Sequence, residues 1–67
     1  MAVARVTRIT ASSPTSWQDA VQEGLKRASK TLRGITGLEV VSQKAKIVEG
    51  KITEYRVTVD MTFILED

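Results

Sequence analysis

The sequence predicts an α+β fold of strand, helix, strand, strand, in which a three-stranded antiparallel sheet packs on one helix. Three observations carry this. Residues 52–65 alternate apolar and polar side chains along their length, residues 17–32 repeat apolar or small side chains at three- and four-residue spacings, and Glu49-Gly50-Lys51 separates two strand-like runs. At 67 residues, the chain makes one domain, residues 1–67.

The first strand is expected over residues 3–11 (VARVTRITA), where branched apolar residues alternate with Arg and Thr before a Ser12-Ser13-Pro14 cluster. Val3 and Ile9 fall on one face and Val6 on the other, so either both faces are partly covered or one meets another subunit. A helix start follows in three competing registers. Ser13-Pro14 fits N-cap and N1, while Thr15 with Gln18 and Ser16 with Asp19 each fit a capping box. Trp17, Ala20, Val21, Leu25, Ala28 and Leu32, with Gly24, then form one face of an amphipathic helix of about four turns. Its polar face is acidic early and basic late, which complements the helix dipole, and Gly34 is the expected C-terminal stop. The second strand is expected over residues 38–49 (LEVVSQKAKIVE), turning at Gly50 into a hairpin. In the third, Tyr55, Val57, Val59, Met61, Phe63 and Leu65 share the face that packs on the helix. Glu54, Arg56, Thr58, Asp60 and Thr62 share the other, left for solvent, a cavity or a neighbouring subunit.

Composition narrows the chemistry. Without cysteine or histidine the chain can form neither a disulfide nor a thiolate or imidazole metal site, and only hard cations on oxygen ligands remain. A domain of this length buries only about 60% of the surface its unfolded chain exposes, so oligomerisation is the staple left to it. One helix covers one sheet face, and the other face and two strand edges stay open unless chains associate. The net charge of +2 is interleaved rather than clustered, which argues against nucleic acid. No apolar run approaches a membrane span and no targeting pattern opens the chain, so a soluble cytoplasmic protein is expected. With no histidine, cysteine, G-x-S-x-G or Gly-rich phosphate loop, the chain is expected not to be an enzyme.

The junctions between these elements resemble the dodecin family, small proteins that assemble as hollow twelve-subunit shells and sequester flavins in pairs. The resemblance spans nearly the whole chain. It rests on Thr10-Ala11-Ser12-Ser13-Pro14 after the opening strand, Lys30-Thr31-Leu32-Arg33 at the helix end, Leu38-Glu39-Val40, and the closing Glu54-Tyr55-Arg56-Val57 through Phe63-Ile64-Leu65-Glu66. It implies a homododecamer that stores or buffers a small ligand, with FMN or riboflavin as that ligand.

The family-equivalent ligand positions are Gly37, Leu38, Lys44 and Arg56. Flavin-binding dodecins carry a tryptophan, which stacks on the flavin ring, where this chain has Gly37, and an aromatic residue where it has Leu38. They carry a flavin-bonding glutamine where it has Arg56, and an arginine where it has Ile64. Lys44 matches their basic residue near the flavin phosphate. Losing a stacking wall worth about 1–3 kcal/mol per ring lowers affinity by about one to two orders of magnitude. Arg56 donates but cannot accept, so it cannot copy an amide. Flavin binding is therefore expected to be weakened or altered.

Other readings stay beside this one. Trp17 covers the helix start; Arg56 pairs with Glu54, Asp60 or Glu39; Gly37 is a turn residue with positive φ. Glu39, Glu54 and Asp60 supply oxygen ligands to a calcium ion on a symmetry axis. The alternatives to a flavin store are the same shell holding a cation such as calcium or an anion, and a module that adds its open strand edge to a partner protein.

Overall fold

The computed structural model describes residues 3–65; Glu66, the last residue of the closing motif, lies outside them. Strand β1 (Ala4–Ser13), helix α1 (Trp17–Ala28), strand β2 (Ile35–Val48) and strand β3 (Lys51–Ile64) follow one another in that order. The sheet is antiparallel throughout, with β3 in the centre and β1 and β2 at its edges. This is the expected class, with three boundaries displaced.

Strand β1 continues two residues beyond Ala11, because Ser12 and Ser13 pair with Arg56 and Tyr55. Ser13 is consequently a buried strand residue and cannot cap the helix. Ser16 does: it is extended (φ −169°) and its hydroxyl accepts from the Asp19 N–H at 2.9 Å. Ser13 Oγ donates to the Asp19 carboxylate at 2.5 Å and accepts from the Thr15 N–H at 3.0 Å, which locks the strand-to-helix corner.

The helix is 12 residues long, shorter than its sequence periodicity suggests. Its ladder ends around the Ala28 carbonyl, which accepts from the N–H groups of both Thr31 (3.1 Å) and Leu32 (2.8 Å). Leu32 then reaches the core from the irregular segment after the helix, not from the helix itself. Gly34 is not the helix stop. It has φ +73°, and a Cβ there would stand 3.3 Å from the Ile64 carbonyl oxygen, so glycine lets the loop pass close beside β3.

Strand β2 starts at Ile35, three residues early, and takes in Gly37 at a register shift. The positive-φ residues among those described are Gly34, Glu49 and Gly50, so Gly37 is not the left-handed turn residue expected. Glu49 and Gly50 (φ 52° and 77°) instead form the two-residue hairpin turn, with Val48 opposite Lys51.

The core is the helix-facing row of β3, Val57, Val59 and Met61, against Ala20, Gly24 and Ala28. Small residues at four-residue spacing bring the helix close: a Cβ on Gly24 would sit 3.1 Å from Ala11 Cβ. Leu25, expected on the buried face, is 36% exposed because this small-residue stripe is what meets the sheet. The helix packs on β1 and β3, while Val40 and Val41 of β2 stay exposed.

The isolated subunit is extended. Its radius of gyration is 13.8 Å, against about 11 Å for a compact chain of this length. Its accessible surface is 5179 Å², against about 4200 Å² for a compact monomer of its mass. Among the described residues no helix is long and apolar enough to cross a membrane.

Candidate functional site

The sheet face turned away from the helix is the place to look, because alternation along three paired strands puts polar side chains there. The two registers align these residues in transverse rows. Val6, Thr62 and Gly37 form the first row; Arg8, Asp60 and Glu39 the second; Thr10, Thr58 and Ser42 the third; Ser12, Arg56 and Lys44 the fourth. Glu54 and Lys46 face each other beyond the end of β1.

The first two rows enclose a hollow of about 400 Å³, lined by Val6, Gly37, Leu38, Glu39, Asp60 and Thr62. Gly37 leaves it open: a Cβ built there meets nothing within 4 Å. Leu38 borders the hollow while packing against the core.

In the second row Arg8 grips Asp60 with a fork, Nε to Oδ1 at 2.8 Å and Nη2 to Oδ2 at 3.1 Å. Those hydrogen bonds from Arg8 hold the Asp60 carboxyl below its usual range, and the Asp60 carboxylate raises Arg8 further, helped by Glu39. In the third row the Thr10 and Thr58 hydroxyls share a hydrogen bond at 3.0 Å. In the fourth, Arg56 Nη2 donates to Glu54 Oε1 at 2.8 Å, one of the three pairings considered from the sequence.

The proposed site residues therefore separate. Gly37, Leu38, Glu39 and Asp60 share the hollow, while Lys44 and Arg56 stand opposite each other further along the face. Glu54 lies six residues from Asp60 on β3, about 20 Å along an extended strand. Among the described residues no three carboxylates gather to hold a metal ion within one chain. Trp17 stands elsewhere: its indole N–H donates to the Lys44 carbonyl at 3.2 Å and its ring meets Tyr55 edge-on, with centroids 4.9 Å apart. Sequence reasoning missed Arg8, Ser12, Thr10 and Ser42, because only the strand order and register reveal that they share rows with β3.

An extended α+β subunit with a small core, an open polar sheet face and excess surface belongs to the class of small folds that bury their surface by association. The chain belongs to the dodecin family, whose model, described as Dodecin, matches residues 3–66. It is 36% identical over 64 residues to calcium dodecin of Mycobacterium tuberculosis, covering 94% of this chain and 89% of that one. A structure of that relative as a calcium-chelating antigen superposes with a TM-score of 0.82 at 32% identity, covering 96% of this chain and 91% of that one. An arginine-to-alanine variant of Thermus thermophilus dodecin matches with a TM-score of 0.94 and 31% identity over the whole of both chains. Streptomyces coelicolor dodecin gives 0.93 and 32%, covering 98% of this chain and 94% of that one. Dodecamer assembly is known for this fold, and family members are known as non-enzymatic binding proteins.

Proposed function

We propose that this chain is the subunit of a hollow, non-enzymatic dodecin shell in the cytoplasm, and that it stores or buffers a small ligand against its open sheet face. The Gly37 hollow carries the reading: it is ligand-sized, polar on one side, and contiguous with the hydroxyl and basic rows leading to Lys44 and Arg56. FMN or riboflavin is the ligand that family membership suggests. Without an aromatic wall at Gly37, and with Arg56 in place of an amide, flavin is held weakly or in a different pose.

A second reading is favoured by one pair of residues. Glu39 and Asp60 face each other across β2 and β3 beside the hollow, and a calcium dodecin is among the relatives, which supports calcium as a ligand of this face. Further oxygen ligands, such as Glu54, would have to come from neighbouring subunits.

Native mass spectrometry of the purified protein, alone and with FMN or calcium, tests both. A twelve-fold mass gaining flavin in multiples of two supports the flavin store. A twelve-fold mass that takes only calcium retires flavin and keeps the shell, and a persistent monomer overturns the shell.

A further inference from the structure

We infer that the projecting end of the β2–β3 hairpin of one subunit docks in the groove between α1 and the free edge of β1 of a second copy of this chain, and that this head-to-tail contact closes as a ring of three. The inference rests on the proposed reading of the chain as a shell subunit and assigns the surfaces that build the shell.

The groove follows from where the helix lies. Helix α1 packs chiefly on β1, an edge strand, so its outer flank overhangs the sheet. Beneath that flank runs a groove of about 650 Å³, walled by β1, the helix and the segment after the helix. No residue of β2 or β3 lines it, which places it on the side of β1 away from β3. Its floor is Ile9, Ala11, Gly24, Ala28 and Leu32. On this side β1 has no strand partner, and its outward N–H and C=O groups form a template for another strand. What is missing here is a strand under a helix.

The far end of the hairpin has the opposite lack. The last β1 pair is Ser13 with Tyr55, and β3 runs on past it through residues 51–54, about 13 Å flanked by β2 alone. Cover from the subunit's own helix stops at that level, where Trp17 meets Tyr55 and the Lys44 carbonyl. Beyond it Ile47 and Ile52 are cross-strand partners, 57% and 47% exposed. Lys46 faces Glu54 on the open side, so alternation turns Ile47, and Ile52 opposite it, to the helix side, with the register shift after Lys46 taking up Thr53. This arm is an apolar pair on a bare-edged strand, without a helix above it.

Each end therefore supplies what the other lacks. The arm continues the sheet lengthwise, away from the groove beside it, so the occupant of the groove is a second copy. Area agrees: the subunit's excess over a compact chain, about 1000 Å², is on the scale of the roughly 800 Å² that one partner buries in a stable interface. Charge agrees as well. Glu23 and Arg27 on the groove wall have no ion-pair partner among the described residues, and Glu49 and Lys51 at the hairpin turn offer one charge of each sign. Arm and groove are different patches, so the contact is heterologous and must close a ring or run on as a fibre. A hollow shell of twelve equivalent subunits has three-fold axes, and a ring of three fits them.

The chain has no cysteine, so introduced cysteines report the contact without background. Ile47→Cys or Ile52→Cys on the arm, combined with Thr7→Cys or Thr31→Cys at the groove, should be joined by a short bismaleimide into covalent dimers and trimers and nothing larger on a denaturing gel. Each single variant should run as a monomer there. Dimers from an arm cysteine alone would mean that two arms meet across a two-fold axis and would overturn the docking; products above trimer would overturn the ring of three. Ile47→Asp with Ile52→Asp should lower the native mass below twelve subunits, and a twelve-fold mass with an unchanged melting temperature would overturn the contact. Failures are separable: a twelve-fold mass with no cross-link from any arm-and-groove pairing keeps the shell and removes the docking, whereas cross-linked trimers that never assemble further keep the docking and remove the shell.

Discussion

Gly37 shows how far one residue can move the chemistry of a face. Its missing side chain leaves the hollow unwalled, and a Cβ there has room on every side. Gly37→Trp should therefore be tolerated and should restore a stacking wall, raising FMN affinity by about one to two orders of magnitude in a flavin fluorescence titration. No gain would mean that Arg56 or the shape of the hollow also excludes the ring. Asp60 is a second sensitive residue. Its folded-state pKa lies below the ordinary 3.8, so its pairing with Arg8 stabilises the fold above that value and the contribution is lost as pH falls through the lowered pKa, Arg8 remaining charged throughout. Asp60→Asn should flatten the acid limb of a urea-midpoint profile below about pH 4, more visibly at low salt because the pair is exposed. The two ion pairs of this face mark what single-residue reading can see. Arg56 next to Glu54 is an i, i+2 relation on one strand face and is legible. Arg8 with Asp60 is a relation across the sheet, invisible until β3 is known to lie beside β1.

At the scale of elements, the sharpest contrast lies between the two ends of the helix. Its start depends on one hydroxyl, so Ser16→Ala should cost about 1 kcal/mol, read as a shift in chemical unfolding midpoint. Ser13→Ala should also cost stability, through the strand-to-helix corner, although Ser13 is not the cap. Met61→Ala, in the fully buried centre of β3, should cost about 2–5 kcal/mol, a large fraction of what so small a domain can have. The period-two alternation of β3 and the Glu49-Gly50 turn were readable because each is a local pattern with one physical cause. The helix end was not, since Leu32 continues the apolar spacing and Gly34 looks like a stop, whereas the ladder actually closes on the Ala28 carbonyl so that the chain can pass close to Ile64. The start of β2, at Ile35, is hidden in the sequence for a related reason. Glycine is read as punctuation, yet Gly37 sits inside a strand whose neighbour supplies the pairing.

At the scale of the whole molecule, surface decides. The lone subunit exposes roughly a quarter more area than a compact chain of its mass, including Val6, Val40, Val41, Ile47 and Ile52. Burying such groups between copies couples folding to association, so thermal stability should fall as protein concentration is lowered, in step with loss of the assembled mass on dilution. A melting temperature independent of concentration, with assembly intact at one end of the series and absent at the other, would refute that coupling.

The position of β3 has a consequence for how the molecule is made. It is the middle of the sheet in space but the last strand in sequence, and the other two strands bond to it and not to each other. During synthesis β1, α1 and β2 can emerge with no sheet to join, and pairing from Ser13–Tyr55 to Ala4–Ile64 spans separations that widen with every step. The hairpin, with its nearby partners, should close first, and β1 should dock onto it afterwards at the entropic disadvantage of a long loop. Until then the nascent chain carries two bare strand edges, and the interval between emergence of β2 and completion of β3 is its window for mispairing with another copy.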